Sequence, residues 1–251
     1  MNTTERVIVI LKYIAASNNP VSVADISKEL KLSKNNVFRV TTALANEGWI
    51  EHNPESKKFT LTGAMVGLGF KALSRLDIQN ISIPYLFELQ ELSGETSTLS
   101  IRMGLQRMFI NQVPSSHEIR HVVHIGKRVE LWFGASGRAM LAFLNDSAVE
   151  EVFQRFMQSG NSILASGQAI STQIIKDQLE TIKSRGYEIA LGESVSGVCS
   201  VAAPIRGTYS EIIGAIAVAG PLPRFNPEKA EEMSLVVKKA ADAISSKMGA
   251  T

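Results

Sequence analysis

Residues 21–48, VSVADISKELKLSKNNVFRVTTALANEG, constrain this chain more than any other stretch, because they encode two short helices separated by a tight turn. Ser22 is placed to cap the first helix, whose Ala24, Ile26 and Leu30 lie on or near one face with Asp25, Lys28 and Glu29 interspersed. Lys31 and Leu32 make the turn. Ser33 caps the second helix, Val37, Val40 and Leu44 give it an inner face, and Gly48 supplies its stop. Two helices joined in this way form a helix-turn-helix unit. Turned away from the inner face are Asn35, Arg39, Thr42 and Asn46, spaced four, three and four residues apart, with Lys34, Asn36 and Thr41 flanking them. Such a stripe suits a DNA groove: Asn pairs with adenine edges and Arg with guanine edges, while Lys and Thr hold phosphates. It is also what any solvated helix face looks like, so the stripe alone decides nothing.

The flanking sequence decides more. Trp49–His52 and Lys57–Leu61 are two short β-type runs around the polar turn 53–56, which predicts a hairpin with Lys57 and Lys58 near its tip. A hairpin directly after a helix-turn-helix makes a winged helix, and basic residues at the wing meet phosphates. Upstream, Val7, Ile10, Leu11 and Ile14 give a first helix its inner face and complete a three-helix core. Residues 1–75 hold ten Lys/Arg against six Asp/Glu, a balance of +4, so the rest of the chain carries −2 of the net +2. A basic head on a slightly acidic body suits nucleic-acid binding by the head.

A length of 251 residues with 45% hydrophobic content allows one or two domains with a sizeable core. No apolar run is long enough for a membrane span, and the opening MNTTERV lacks a signal peptide's apolar stretch, so a cytoplasmic location is expected. The single cysteine, Cys199, excludes an internal disulfide and a multi-cysteine zinc site, and its apolar neighbours Val198, Val201 and Ala202 point to a buried, inert thiol.

The predicted organisation is α+β: a winged helix-turn-helix over 1–62, a linker helix over 63–76 and a larger domain over 77–251. In the linker, Met65, Leu68, Ala72 and Leu73 make an apolar face with no core of its own, for which a second copy of the chain is the obvious partner. The larger domain should begin with a helix bearing Leu86, Leu89 and Leu92, started or kinked by Pro84. Strand-like runs follow at 96–103, 106–113 and 121–125, helices at 136–144, 146–158 and 172–185, strands at 198–205 and 212–219, and a closing helix at 227–248. Strands flanked by helices suggest a sheet covered by helices, as in GAF-type small-molecule sensors.

Taken in order, these patterns resemble the IclR family of bacterial transcription regulators along essentially the whole chain. The resemblance is carried by Leu32-Ser33-Lys34 with Val37-Phe38-Arg39, by Gly48-Trp49-Ile50, and by Lys58-Phe59-Thr60-Leu61-Thr62 in the head. In the body it is carried by Ala135-Ser136-Gly137-Arg138-Ala139-Met140-Leu141-Ala142, Arg185-Gly186-Tyr187, Ala202-Ala203-Pro204-Ile205 and Ala219-Gly220-Pro221. It implies a ligand-responsive regulator, more often a repressor, of a catabolic operon. It also implies operator DNA and a small-molecule effector as partners, a homodimer or a tetramer of two dimers, and no cofactor. The implied DNA contacts are Lys34, Asn35, Asn36, Phe38 and Arg39 with Lys57 and Lys58 on the wing, beside Ser33 and Thr42 from the helix pattern. Asn36 and Phe38 depart from the Ser or Thr and the Tyr of many relatives, which should shift operator preference.

For the effector, the resemblance points to the turn Gly134-Ala135-Ser136-Gly137, whose amides at a helix start suit a carboxylate. It also points to Ala190, Ser200, Ala217 and Ala219, where acid-sensing relatives carry Asp, Cys or Ser. Three alanines in place of polar groups, with Leu131, Trp132 and Phe133 adding bulk nearby, favour a larger, partly apolar organic acid, such as an aromatic one. Trp132 and Phe133 fit a core or interface role equally well. Two other classes stay open: an enzyme domain on a DNA-binding head, and a DNA binder with no ligand. The sequence has no phosphate loop, GxGxxG or HExxH; Ser136 lacks GxSxG spacing, because Arg138 stands where the second Gly belongs. On a strand, His121 and His124 would face opposite ways, against a shared metal, and His117 is their only other close imidazole.

Overall fold

Three capped helices and a small sheet build the first of two units, Met1–Leu76 and Asp77–Thr251. The computed structural model describes residues 2–17, 19–65, 67–68, 78–160 and 163–250. Helix α1 (Thr3–Ala16) starts in a capping box between Asn2 and Glu5, and α2 (Val23–Leu30) in one between Ser22 and Asp25. Hydrogen bonds from the backbone and hydroxyl of Ser22 hold the Asp25 carboxyl below its ordinary pKa. Lys31 takes a left-handed conformation to end α2, and the Ser27 hydroxyl donates to the Leu32 carbonyl at 2.6 Å to fix the turn. Ser33 then caps α3 (Lys34–Asn46).

Strands β2 (Ile50–Asn53) and β3 (Lys58–Leu61) pair antiparallel as the expected wing hairpin, with Asn53 opposite Lys58. The side chain of Asn53 accepts from the amides of Glu55 and Ser56, which sets the wing turn. A two-residue strand β1 (Val21–Ser22), too short to leave a periodic signal, pairs with the other side of β3. Ile10, Ile14, Ile26, Val37, Leu44 and Phe59 form the core of the unit; Ala24, expected near that face, is exposed. Of the predicted linker, residues 63–65 and 67–68 are helical, and residues 66 and 69–76 lie outside the described residues.

The second unit is a six-stranded sheet with helices on both faces. Its strands are β4 (Thr96–Met103), β5 (Gln106–Val113), β6 (Arg128–Glu130), β7 (Glu188–Leu191), β8 (Val198–Arg206) and β9 (Ile212–Pro221). They are ordered β6-β5-β4-β9-β8-β7, with every neighbour antiparallel. Helix α4 (Ile78–Ser93) packs on β4, running through Pro84, which lacks the N–H that would bond the Asn80 carbonyl. Leu86 and Leu89 are buried, whereas Leu92 is exposed, because six residues at 100° each rotate it well away from Leu86.

Helix α5 (Gly134–Leu141) packs against β7, β8 and β9. Helices α6 (Asp146–Ser159) and α7 (Thr172–Arg185) contribute to the core beyond it. Helix α8 (Pro227–Lys247) packs on β8 and on α4. The Ser97 hydroxyl donates to the Leu86 carbonyl of α4, so Thr98, one residue on, faces the opposite side of the sheet. Ala135 and Ala139 of α5 pack there on Ala190, Ala202 and Ala217, small side chains that let helix and sheet approach closely.

The run 121–125 is not a strand. Residues 121–124 have no regular secondary structure and Ile125 enters a turn; Val123 is held by a side chain, since the Gln112 amide group donates to its carbonyl at 2.8 Å and accepts from its N–H at 2.9 Å. The strand that pairs with β5 is β6, three residues later, where Lys127 and Arg128 put charge on the sheet edge.

Candidate functional site

The outer face of α3 is the first candidate site. Asn35, Arg39, Thr42 and Asn46 are all exposed along it, as are Ser33 and Lys34 at its start, and Phe38 presents more than half of its surface to solvent. Two flanking residues behave differently from expectation. Thr41 is fully buried and donates its hydroxyl back to the Val37 and Phe38 carbonyls, so it packs rather than reads. Asn36 is half-buried and turns toward α1, where it lines a groove with Arg6 and Arg39. Lys57, in a left-handed conformation, and Lys58 stand exposed at the wing.

The second candidate site is a small cavity of about 50 Å³ in the second unit, between the N-terminus of α5 and the sheet. By itself it is smaller than the range of about 300–1,000 Å³ usual for small-molecule pockets, which the adjoining outer chamber of about 400 Å³ reaches. Ala190, Ser200, Ala217 and Ala219 from β7, β8 and β9 line it together with Gly134, Ala135 and Ser136. Cross-strand pairing explains why: Ser200 lies opposite both Ala190 and Ala219, and Thr98 opposite Ala217, so all share one face. The hydroxyls of Thr98, Ser136 and Ser200 face the cavity without a hydrogen-bond partner among the described residues.

Leu131 and Trp132 do not reach the cavity. Both are buried in a hydrophobic cluster beneath α6 and α7, where Trp132 meets the Phe156 ring edge-on at 5.7 Å between centroids. Phe133 lines an outer chamber, shared with His121, His124, Lys127 and Arg128, that adjoins the cavity through Arg107, Phe109 and Val195. Burial lowers the pKa of His121.

The α5 N-terminus is also less free than its sequence implies. Gly134 adopts φ +76°, and its N–H donates to the Glu193 carboxylate at 2.9 Å, so that amide is taken. Glu193 in turn clasps Arg138 with both carboxylate oxygens. Arg138 is fully buried, Glu188 accepts from it at 2.8 Å, and Arg185 holds the other Glu188 oxygen. Burial alone would lower the pKa of Arg138, but the hydrogen bonds and charge of Glu193 and Glu188 outweigh it and hold the guanidinium above its usual value. Gly137 has to be glycine, because a Cβ there would lie 2.5 Å from the Leu131 carbonyl oxygen.

Two family models match this chain: "Bacterial transcriptional regulator IclR C-terminal" over residues 70–246 and "IclR helix-turn-helix domain" over residues 3–54. The chain belongs to the IclR family. It is a transcriptional regulator with an N-terminal DNA-binding helix-turn-helix domain and a C-terminal α+β effector domain.

The HTH-type transcriptional repressor AllR of Klebsiella pneumoniae is 24% identical over 98% of this chain and 89% of its own length. The HTH-type transcriptional regulator KdgR of Dickeya chrysanthemi is 25% identical over 91% and 74%. The crystal structure of the Thermotoga maritima IclR aligns with a TM-score of 0.72 at 26% identity, covering 99% of each chain. An IclR homolog from Microbacterium hydrocarbonoxydans, solved with 4-hydroxybenzoate, has the same fold with a TM-score of 0.83 at 18% identity, covering 98% and 99%. Both AllR and KdgR are regulators rather than enzymes. Among the described residues no helix is long and apolar enough to cross a membrane.

Sequence reasoning passed over Arg107 and Glu193, which line this regulator's cavity, and Arg138, which is buried behind Glu193. Arg138 was the most visible: a charge flanked by Gly137, Ala139, Met140 and Leu141 in a helix needs a buried partner. Arg107, set in an alternating strand, looks like an ordinary solvent-facing position.

Cys199 is fully buried, and burial raises its thiol to about 11, so it stays protonated at neutral pH. A thiol-specific chromogenic reagent should therefore label the native protein only as fast as it unfolds. Rapid labelling of the native protein would count against an inert thiol.

Proposed function

We propose that this IclR-family chain is a repressor of a catabolic operon, whose affinity for operator DNA is set by a small aromatic organic acid bound in the second unit. The observation that carries the reading is the cavity itself: a small-residue floor of Ala190, Ala217 and Ala219 flanked by the unpartnered hydroxyls of Thr98, Ser136 and Ser200. A flat apolar ligand that spans the cavity and the adjoining chamber of about 400 Å³, with a polar group at each end, suits that lining better than a two- or three-carbon acid does. The Microbacterium hydrocarbonoxydans homolog, solved with an aromatic hydroxy acid, supports the same class, and the repressor name of AllR supports the sign of regulation.

In this reading α3 enters the major groove, with Asn35, Phe38 and Arg39 reading bases and Ser33, Lys34, Asn36, Thr42, Lys57 and Lys58 positioning the backbone. The chain works as a homodimer or as a tetramer of two dimers, in the cytoplasm, with residues 63–76 as the dimerising linker. Effector binding favours one dimer arrangement, which alters the separation of the two winged helices relative to the operator half-sites. The enzyme and the ligand-free DNA binder are the readings it competes with.

Two measurements test it on the full chain. A ligand specific for the folded state should raise stability by about 2.7 kcal/mol at 100 times its Kd, visible as a thermal shift with 4-hydroxybenzoate or related acids. The same ligand should change affinity for the DNA beside the protein's own gene by about 5- to 150-fold. If no aromatic, sugar or short keto acid moves operator affinity, the ligand-controlled reading is lost.

A further inference from the structure

Arg107 sits on β5 with its guanidinium at the junction of the inner cavity and the outer chamber. Its residue surface is 4% exposed, yet its Nε and Nη1 find no hydrogen-bond partner among the described residues. Only Nη2 is engaged, donating to the Phe133 carbonyl at 3.2 Å, while the Phe109 ring lies 4.6 Å from the guanidinium carbon. A buried guanidinium with two idle nitrogens is costly, and native interiors rarely leave such groups unpaired.

The nearest acid does not relieve it. Both oxygens of Glu193 are committed to Arg138, and one of them also to the Gly134 N–H. Counting Arg107, Arg138 and Arg185 against Glu188 and Glu193, the network holds three positive charges and two negative, a surplus of +1 at Arg107. Burial lowers the pKa of Arg107, helped by the charge of Arg138, but only to about 10, so it is charged at neutral pH. The outer chamber adds His124, Lys127 and Arg128 and no acidic side chain, which draws anions toward the same point.

We infer that Arg107 is the counter-ion of a monocarboxylate, whose two oxygens bond one edge of the guanidinium, an idle Nε or Nη1 together with the second N–H of Nη2, while the apolar body of the ligand lies between the alanine floor and the outer chamber. This rests on the cavity being the effector site and moves the anchor of the acid away from the α5 N-terminus. A planar carboxylate matches the fork geometry of two guanidinium N–H groups, and one negative charge balances the network. A dianion would leave a second carboxylate to be buried with Glu193 nearby.

Two variants of the full chain, Arg107→Met and Arg107→Lys, test it beside the wild type, by thermal unfolding and calorimetry with 4-hydroxybenzoate, benzoate and acetate, and with benzamide as the neutral control. At least one acid should stabilise the wild type while benzamide does not. Arg107→Met should lower the affinity for that acid by about 10- to 100-fold, and Arg107→Lys should recover part of it. Without ligand, Arg107→Met should melt at or above the wild type, because it removes an unpaired buried charge.

The inference is overturned if no acid stabilises the wild type, if an acid stabilises wild type and Arg107→Met equally, or if ligand-free Arg107→Met melts below the wild type or fails to fold. Operator binding separates the two levels of the argument. Acids that bind through Arg107 without altering operator affinity would leave the anion site standing and remove its role as effector site. Acids that alter operator affinity regardless of Arg107 would do the reverse.

Discussion

Arg138→Met is expected to destabilise the second unit by about 3–5 kcal/mol, the range for removing one partner of a buried ion pair. Arg138 is fully buried and is shared by Glu188 and Glu193, which are themselves nearly inaccessible. Glu188 keeps Arg185 after the substitution, but Glu193 keeps only the Gly134 N–H as a hydrogen-bond donor, a nearly inaccessible carboxylate with the charge of Arg107 as its remaining compensation. For a unit of this size that loss corresponds to a melting decrease of about 6–20 °C. Trp132, buried in the second unit, reports its unfolding once Trp49 of the first unit has been replaced by Phe. Because the two units need not unfold together, only the Trp132 transition is to be analysed.

A second variant shows whether charge is the cause. Removing the acids as well, in Arg138→Met/Glu188→Gln/Glu193→Gln, should recover more than half of the loss, since a neutral buried network is far less costly than an unpaired carboxylate. A single variant within about 1 kcal/mol of wild type would mean that water reaches Glu193 freely, and the closed charge network described above would be wrong.

How much of this was legible in the sequence follows from how local each cause is. The helix-turn-helix and wing were readable because their signals sit within a few residues of one another. Ser33 caps α3, Lys31 and Gly48 take left-handed conformations, and the buried Val37, Val40 and Leu44 of α3 keep a helical spacing. The two-residue β1 escaped because Ser22 serves both as strand and as helix cap. Residues 121–125 read as a strand because their composition is that of a strand, but their partner is the Gln112 side chain rather than a backbone, which no periodicity encodes. The candidate effector site was legible where it depends on register, as for Ala190, Ser200, Ala217 and Ala219. It was illegible where it depends on groups distant in sequence, since Arg107, Gly134, Arg138 and Glu193 meet only once β5, α5 and the loop after β7 are assembled.

At physiological salt, replacing both Asn35 and Arg39 by Ala is expected to weaken operator binding by about 2–6 kcal/mol if the two effects add, taking about 1–3 kcal/mol for each base-reading side chain. Both are exposed one helical turn apart on the outer face of α3, the spacing that lets two side chains reach neighbouring base pairs. Lys57 and Lys58 should behave differently. If they contact phosphates at the wing, as proposed, their joint replacement by Ala should weaken operator and scrambled duplex alike, and should reduce the slope of log affinity against log salt by about 2.

Phe38 separates the two kinds of contact within α3. It has no hydrogen-bonding group, and its 58% exposure suits an apolar contact such as a thymine methyl. Phe38→Ala should therefore cost affinity for the operator and little for scrambled DNA, with the salt slope unchanged. Fluorescence anisotropy with both duplexes over a salt series measures all four quantities. If the Asn35/Arg39 variant loses affinity equally on both duplexes, α3 contacts only the backbone and sequence is read elsewhere; if it loses none, the exposed stripe on α3 is no more than a solvated helix face.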